Sequence, residues 1–154
     1  MLRAVGAGFI ACAMLCMGVW LSRREKKRAA AVEDALQAVK LIRTAVTLQL
    51  LPLQEAIVRS AAQNPLLRRM AEAPPADAEL LFRQHGLMEE EIGILMTLMK
   101  EIPLAAAGSD EHFASAQERL RLRLSAREKA AEQAAALYPK LGLLSGAAIF
   151  LMLL

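Results

Sequence analysis

From about Glu25 to Leu51 apolar side chains return every three or four positions, at Val32, Leu36, Val39, Ile42 and Val46. That period puts them on one face of an α-helix. Beyond Leu51 the chain is punctuated by prolines. Pro52 opens a second helix, because the N–H that proline lacks has no partner in a first turn anyway. Asn64-Pro65 breaks the chain, and a short third helix runs through about Met70. Pro74-Pro75 breaks it again, and Asp77 is a candidate N-cap for a fourth helix that stops at His85-Gly86. A fifth runs from about Met88 to Glu101 and opens on Glu89, Glu90 and Glu91, whose charges suit the positive end of a helix dipole. Pro103 and Gly108-Ser109 close it. The sixth spans about Asp110 to Tyr138 without glycine or proline. The alternating RLRLRL of Arg119 to Leu124 looks like a strand by itself, but inside that uninterrupted run it reads as helix. The expected fold class is all-α, a small bundle of about six helices.

Both ends of the chain are apolar. Ala4 to Leu21 carries no charge, and as helix these residues measure about 27 Å against a hydrocarbon core of about 30 Å. Trp20 sits at its end, where an amphipathic ring prefers the headgroup level. Then come Arg23, Arg24, Lys26, Lys27 and Arg28. A cleaved signal peptide has its positive charge before the apolar run and a small-residue cleavage site after it; here the charge comes after the run and no such site does. The charge asymmetry puts the N-terminus outside and the rest in the cytoplasm. Leu141 to Leu154 is wholly apolar but gives only about 21 Å of helix. With Tyr138 and Lys140 at its mouth it is expected to be a short second span, the alternative being a segment lying in the interface. The expected layout is an N-terminal transmembrane helix at 1–21, a basic flank at 22–28, a cytoplasmic helical domain at 29–139, kinked by Pro139 into a C-terminal transmembrane segment at 140–154.

The charge balance refines this picture. The chain has 19 Lys and Arg against 16 Asp and Glu, a net of +3. Ala29 to Pro139 holds twelve of the basic and fifteen of the acidic residues, so the basic surplus belongs to the membrane flanks. A nucleic-acid module would carry that surplus, with stacking aromatics, in its folded part. The nucleic-acid class is therefore excluded. His85 and His112 have no Cys or His neighbour at ligand spacing, and His85 before Gly86 reads as a helix end. Cys12 and Cys16 lack a basic group to make a thiolate and read as small packing residues. No P-loop, nucleophile elbow or zinc motif appears, so neither an enzyme nor a cofactor is expected.

What remains is packing and surface. Gly142 and Gly146, with Ser145 alongside, form a GxxxG; Ala4, Gly8, Cys12 and Cys16 make a four-spaced small stripe. Such faces let membrane helices approach, so the two spans are expected to pair with each other or with partner spans, and a homo-oligomer is compatible with them. The Glu89–Glu91 start and the ridge Arg119, Arg121, Arg123 and Arg127 are the candidate partner surfaces. A long-helix sensor is the competing class, but heptad positions 113, 117, 120, 124, 127, 131, 134 and 138 include Gln117, Arg127 and two alanines, a weak coiled-coil seam.

The whole-chain layout resembles the stage III sporulation protein AB family of endospore-forming bacteria. The resemblance rests on the opening MLRAVGAGFI, on Val46 followed by Pro52-Leu53 and Glu55-Ala56, which match a "PLxEA" element, and on the tail YPKLGLLSGAAIFLMLL with His112 upstream. The chain departs from the family's usual acidic residue at Ala45 and aromatic residue at Leu48. The resemblance implies a cytoplasmic domain similar to the platform domain of type II secretion and type IV pilus machines. It further implies a secretion-type motor ATPase and other channel membrane proteins as partners, in a mother-cell-derived membrane around the forespore.

Overall fold

The computed structural model describes the backbone of residues 2–72, 75–102 and 109–153, without the side chains at 2–8, 10, 11, 75, 109, 150 and 153. The breaks expected at Pro74, Pro103 and Gly108 lie outside the described residues. Six α-helices come one after another: α1 Leu2–Thr47, α2 Leu53–Ser60, α3 Pro65–Glu72, α4 Ala78–His85, α5 Glu89–Glu101 and α6 Ser109–Leu153. Short 3-10 turns at Ala61–Gln63 and Pro75–Asp77 link α2 to α3 and lead into α4. No strand occurs among the described residues, so the all-α expectation holds.

Two expected boundaries are absent. The N-terminal apolar run and the first amphipathic helix are one helix, because the basic flank between them contains no breaker and its Lys and Arg are good helix formers. Likewise α6 continues through Pro139 to Leu153. The chain divides into two units. One comprises Met1–Ala29 with Ala126–Leu154, here the terminal unit; the other, here the body, is Ala30–Ser125.

The body is built on α1, which contributes Ala31, Val32, Ala35, Leu36, Ala38, Val39, Ile42 and Ala45 to the core. Four of these are alanines, which allow neighbouring backbones close and widen the buried face beyond the stripe expected from the larger residues. Around them pack Ala56 and Ile57 of α2, Leu66 and Leu67 of α3, Leu81 and Phe82 of α4, Ile92, Leu95 and Leu98 of α5, and Phe113, Ala116 and Leu120 of α6.

Side chains fix the helix ends. Asn64 is 2% exposed; its Oδ1 accepts from the Leu66 and Leu67 N–H groups at 2.9 and 3.2 Å, and its Nδ2 donates to the Asp34 carbonyl at 2.9 Å. One residue thus caps α3 and ties it to α1. At the end of α4, Gly86 takes φ 102°, its N–H donates to the Arg83 carbonyl, and the Leu87 N–H donates to Phe82. That is a Schellman stop with buried Leu87 and Phe82 as its apolar contact. Asp77 does precede α4, but its side chain makes no cap bond. The 3-10 turn leaves it at φ −98°, ψ 9° rather than in the extended conformation from which a side chain folds back onto the first turn.

Asn64→Ala removes the cap and leaves two buried N–H groups and the Asp34 carbonyl without that partner. It should cost about 2–4 kcal/mol in urea unfolding. Asn64→Asp keeps the cap acceptor but sets a carboxylate against a carbonyl, and should recover only part of that loss.

Candidate functional site

In the terminal unit, the two long helices meet at glycines. A Cβ placed on Gly18 would stand 2.6 Å from the Tyr138 carbonyl oxygen, and one on Gly142 would stand 2.9 Å from that of Met14. Gly142 and Gly146 are both buried, and Ser145 is half-buried. The Ser145 hydroxyl donates to the Leu141 carbonyl at 2.7 Å and lies 3.6 Å from the Met14 sulfur. The α1 side of the crossing is Met14, Gly18 and Ser22. Cys12 and Cys16 are exposed, so at these positions the small stripe does not face the second helix, which leaves the other expectation, a partner span. The side chains of Ala4 and Gly8 lie outside the described residues.

The outer surface of this unit is apolar. Phe9, Met17, Leu144, Leu151 and Met152 are each more than 60% exposed. Among the described residues no helix is long and apolar enough to cross a membrane; the run from Ala4 begins where side chains are not described. Of the basic flank, Arg23, Arg24, Lys26 and Lys27 are exposed, as is Lys140. Arg24 lies 5.7 Å over the Trp20 ring, a cation–π contact one turn apart. Arg28 pairs with Glu25 at 2.7 Å.

In the body, the acidic start of α5 meets the arginine ridge of α6 at an ion pair. Arg123 pairs with Glu90, while Glu89 pairs with Arg83 at 2.7 Å. Glu91 corrects the expected partner surface. It is fully buried, and its Oε2 accepts from the Met88 N–H at 2.7 Å, closing the first turn of α5. The third position of a helix looks back at the chain that leads into it, which is why one of three consecutive glutamates points inward. Arg119 and Arg121 are exposed; Arg127 is half-buried and falls in the terminal unit.

Between α5 and α6 runs an open groove of about 200 Å³, lined by Ile94, Thr97, Leu98, Glu101, His112, Ser115, Ala116 and Arg119. Its end is closed by His112, whose Nδ1 lies 2.8 Å from the Glu101 carboxylate. The sequence missed this groove, because it depends on which faces of two distant helices meet. His85, by contrast, ends α4 as expected, with Nε2 3.1 Å from Asp34 on α1.

The start of α6 is fastened to α1 by a fork. Arg43 donates from Nε and Nη2 to the two Asp110 oxygens at 2.7 and 2.9 Å. These bonds hold the Asp110 carboxyl below its usual 3.8 and raise the guanidinium. Of the family element, Pro52 stands at the start of α2, Glu55 lies exposed in its first turn, Leu53 is half-buried against the core, and Ala56 is fully buried.

These features define a class: an all-helical protein with a compact multi-helix body and a two-helix unit made from its two ends, joined at glycines. The chain belongs to the stage III sporulation protein AB family, whose model matches residues 3–154. Comparison with curated proteins and with solved structures found no match.

Three outcomes are expected from the geometry. The Asp110 carboxyl titrates below its ordinary value when folded, so its contribution to stability is complete only well above that ordinary value and is lost as pH falls through the lowered one. Asp110→Asn should therefore lower the melting temperature slightly at pH 7, and the gap to the native chain should narrow as the medium is acidified. Gly18→Leu should force α1 and α6 apart by about 1–2 Å, read from spin labels at Arg24 and Glu132 after both cysteines are replaced. Gly93→Ala on α5, which meets nothing within 4 Å, should instead stabilise by about 0.5–1 kcal/mol.

Proposed function

We propose that this protein is a non-enzymatic membrane platform of the sporulating cell. It couples a secretion-type motor ATPase in the mother-cell cytoplasm to channel proteins in the membrane around the forespore. Membership of a stage III sporulation family over nearly the whole chain supports the sporulation role. The observation that carries the platform reading is the terminal unit. Two helices fused to a helical body join at glycines and turn Phe9, Met17, Leu144, Leu151 and Met152 outward. A two-helix unit with an apolar outer surface needs a covering, and a bilayer provides one that satisfies no backbone group, which helices tolerate because their backbone bonds are internal. On this reading the basic flank stops α1 at the cytoplasmic face, where Trp20 and Arg24 occupy the headgroup layer, and the short C-terminal segment spans with Lys140 snorkelling. The body then stands in the cytoplasm and binds the motor through its charged helices.

The full chain in lipid nanodiscs, titrated calorimetrically with the secretion-type ATPase of the same organism, tests the coupling. The expected result is a dissociation constant of about 1–10 μM that weakens as salt rises. No heat with a chain shown to be folded and helical would remove the motor from the proposal. Release of the protein from sporulating-cell membranes by alkaline carbonate would remove the membrane anchor as well.

A further inference from the structure

The facing sides of α5 and α6 form a ladder that keeps one antiparallel register throughout. Glu101 meets His112 at one end, Nδ1 2.8 Å from the carboxylate, and Glu90 meets Arg123 at the other as an ion pair. Between these rungs the same register sets Leu98 by Ser115, Thr97 by Ala116 and Ile94 by Arg119, and these six residues line the groove. The basic positions 112 and 123 each have a glutamate opposite. Arg119 has an isoleucine, and no acidic side chain pairs with it among the described residues. The Ser115 hydroxyl likewise makes no hydrogen bond there, and Thr97 donates its own to the Gly93 carbonyl at 2.8 Å, leaving the oxygen able to accept.

The volume narrows the ligand. A groove of about 200 Å³ falls below the ~300–1,000 Å³ of sites for drug-sized ligands, and it suits one or two side chains of a peptide. Its polarity gives a direction. Arg119 lies two turns beyond His112 on α6, about 10 Å away, which is the length of about three extended residues. The end near Glu101 repels an anion and the end near Arg119 attracts one, while Ile94, Leu98 and Ala116 offer an apolar floor between them.

We propose that the α5–α6 groove is a docking site for an extended peptide of a partner protein, taking an apolar side chain onto Leu98 and Ala116 and a neighbouring carboxylate onto Arg119. The incoming carboxylate completes the ladder by supplying the acid that position 94 lacks. The site is defined by its chemistry and does not depend on the motor being the partner.

The test uses the full chain in micelles, isotope-labelled for NMR, and the acetylated, amidated peptide Ala-Leu-Glu-Leu-Ala at up to about 1 mM. Shifts are expected at Thr97, Ser115, Ala116 and Arg119, with little response to the peptide carrying lysine in place of glutamate. Arg119→Glu should weaken the response about tenfold or more, and so should Ile94→Glu, which places an internal carboxylate where the ligand's would sit. Arg121→Glu, on a different side of α6, should leave it unchanged. The inference is overturned if the groove residues do not shift, if the lysine peptide binds as well, or if Arg121→Glu costs as much as Arg119→Glu. Groove shifts that grow with protein concentration in the absence of peptide would assign the groove to a second copy of this chain and also overturn it.

Discussion

Where Gly18 meets the Tyr138 carbonyl and Gly142 meets that of Met14, two helix backbones lie so close that a single added carbon would strike them. The same constraint recurs in the body, where α1 offers Ala31, Ala35, Ala38 and Ala45 to its neighbours, none more than 4% exposed. Small residues lose little side-chain entropy on burial, and they bring opposing backbones within reach of dispersion forces. In the body they leave the larger Val32, Leu36, Val39 and Ile42 to interdigitate with Ile57, Leu67, Phe82 and Leu95. Both units therefore depend on α1 being thin on its packed side, although the partners differ: several short helices in one case, one long helix in the other.

The helix breaks were legible because they are chemical. Proline at 52 and 65 and glycine at 86 restrict or permit particular dihedrals whatever surrounds them; α4 ends at His85, directly before its glycine, while α1 and α2 end earlier than expected, at Thr47 and Ser60, five residues before their prolines. Charge patterns were less legible. Three consecutive glutamates suit a helix start and offer a partner surface, yet Glu91 is buried because its third-position geometry turns it onto the Met88 N–H. Of the small stripe, Cys12 and Cys16 lie away from the α1–α6 crossing for a geometric reason. Four residues advance a helix by about 400°, so each step drifts about 40° and the stripe leaves any one face within a few turns. Met14, Gly18 and Ser22 share that spacing over a shorter stretch centred on the crossing, where the drift stays small. On α6 the alternation of three and four at 113, 116, 120 and then 131, 134, 138 and 142 keeps its face, and these positions are buried or half-buried. The heptad rejected as too weak for a coiled coil does mark the packed side; alanine weakens it as a predictor while suiting it to close approach.

Surface charge is arranged more economically than a ridge of arginines implies. Arg43 is committed to Asp110, Arg83 to Glu79 and Glu89, and Arg123 to Glu90. Exposed pairs of this kind contribute little each, but they fix helix register, and in the α5–α6 ladder the register gives an unpaired cation its meaning. On an isolated helix Arg119 would be one more solvated charge. Set opposite Ile94, between two completed pairs and beside an apolar floor, it makes the groove selective for an anion and against a cation. A like charge entering there would meet Arg119, and this rejection adds to specificity alongside the attraction.

The stretch from Pro52 to Ala56, after α1, is made of residues with folding tasks. Pro52 sets the start of α2, Glu55 lies in its first turn where the helix dipole favours an anion, and Ala56 disappears into the core. Leu53 covers the core's edge. Each residue does a folding task, and together they turn the chain back after a helix 46 residues long. The turn itself is strained: Leu50 holds φ 54° with its side chain 85% exposed, a conformation that costs an L-residue about 1–2 kcal/mol. A glycine would relieve that cost but would also loosen the loop. The exposed leucine is therefore held by the anchors on either side, the Leu51 N–H bonded back to the Ala45 carbonyl and the Ala56 N–H bonded to Pro52. These bonds are local in sequence, and the reversal they fix returns the chain to α1, where Ala56 and Ile57 join the core.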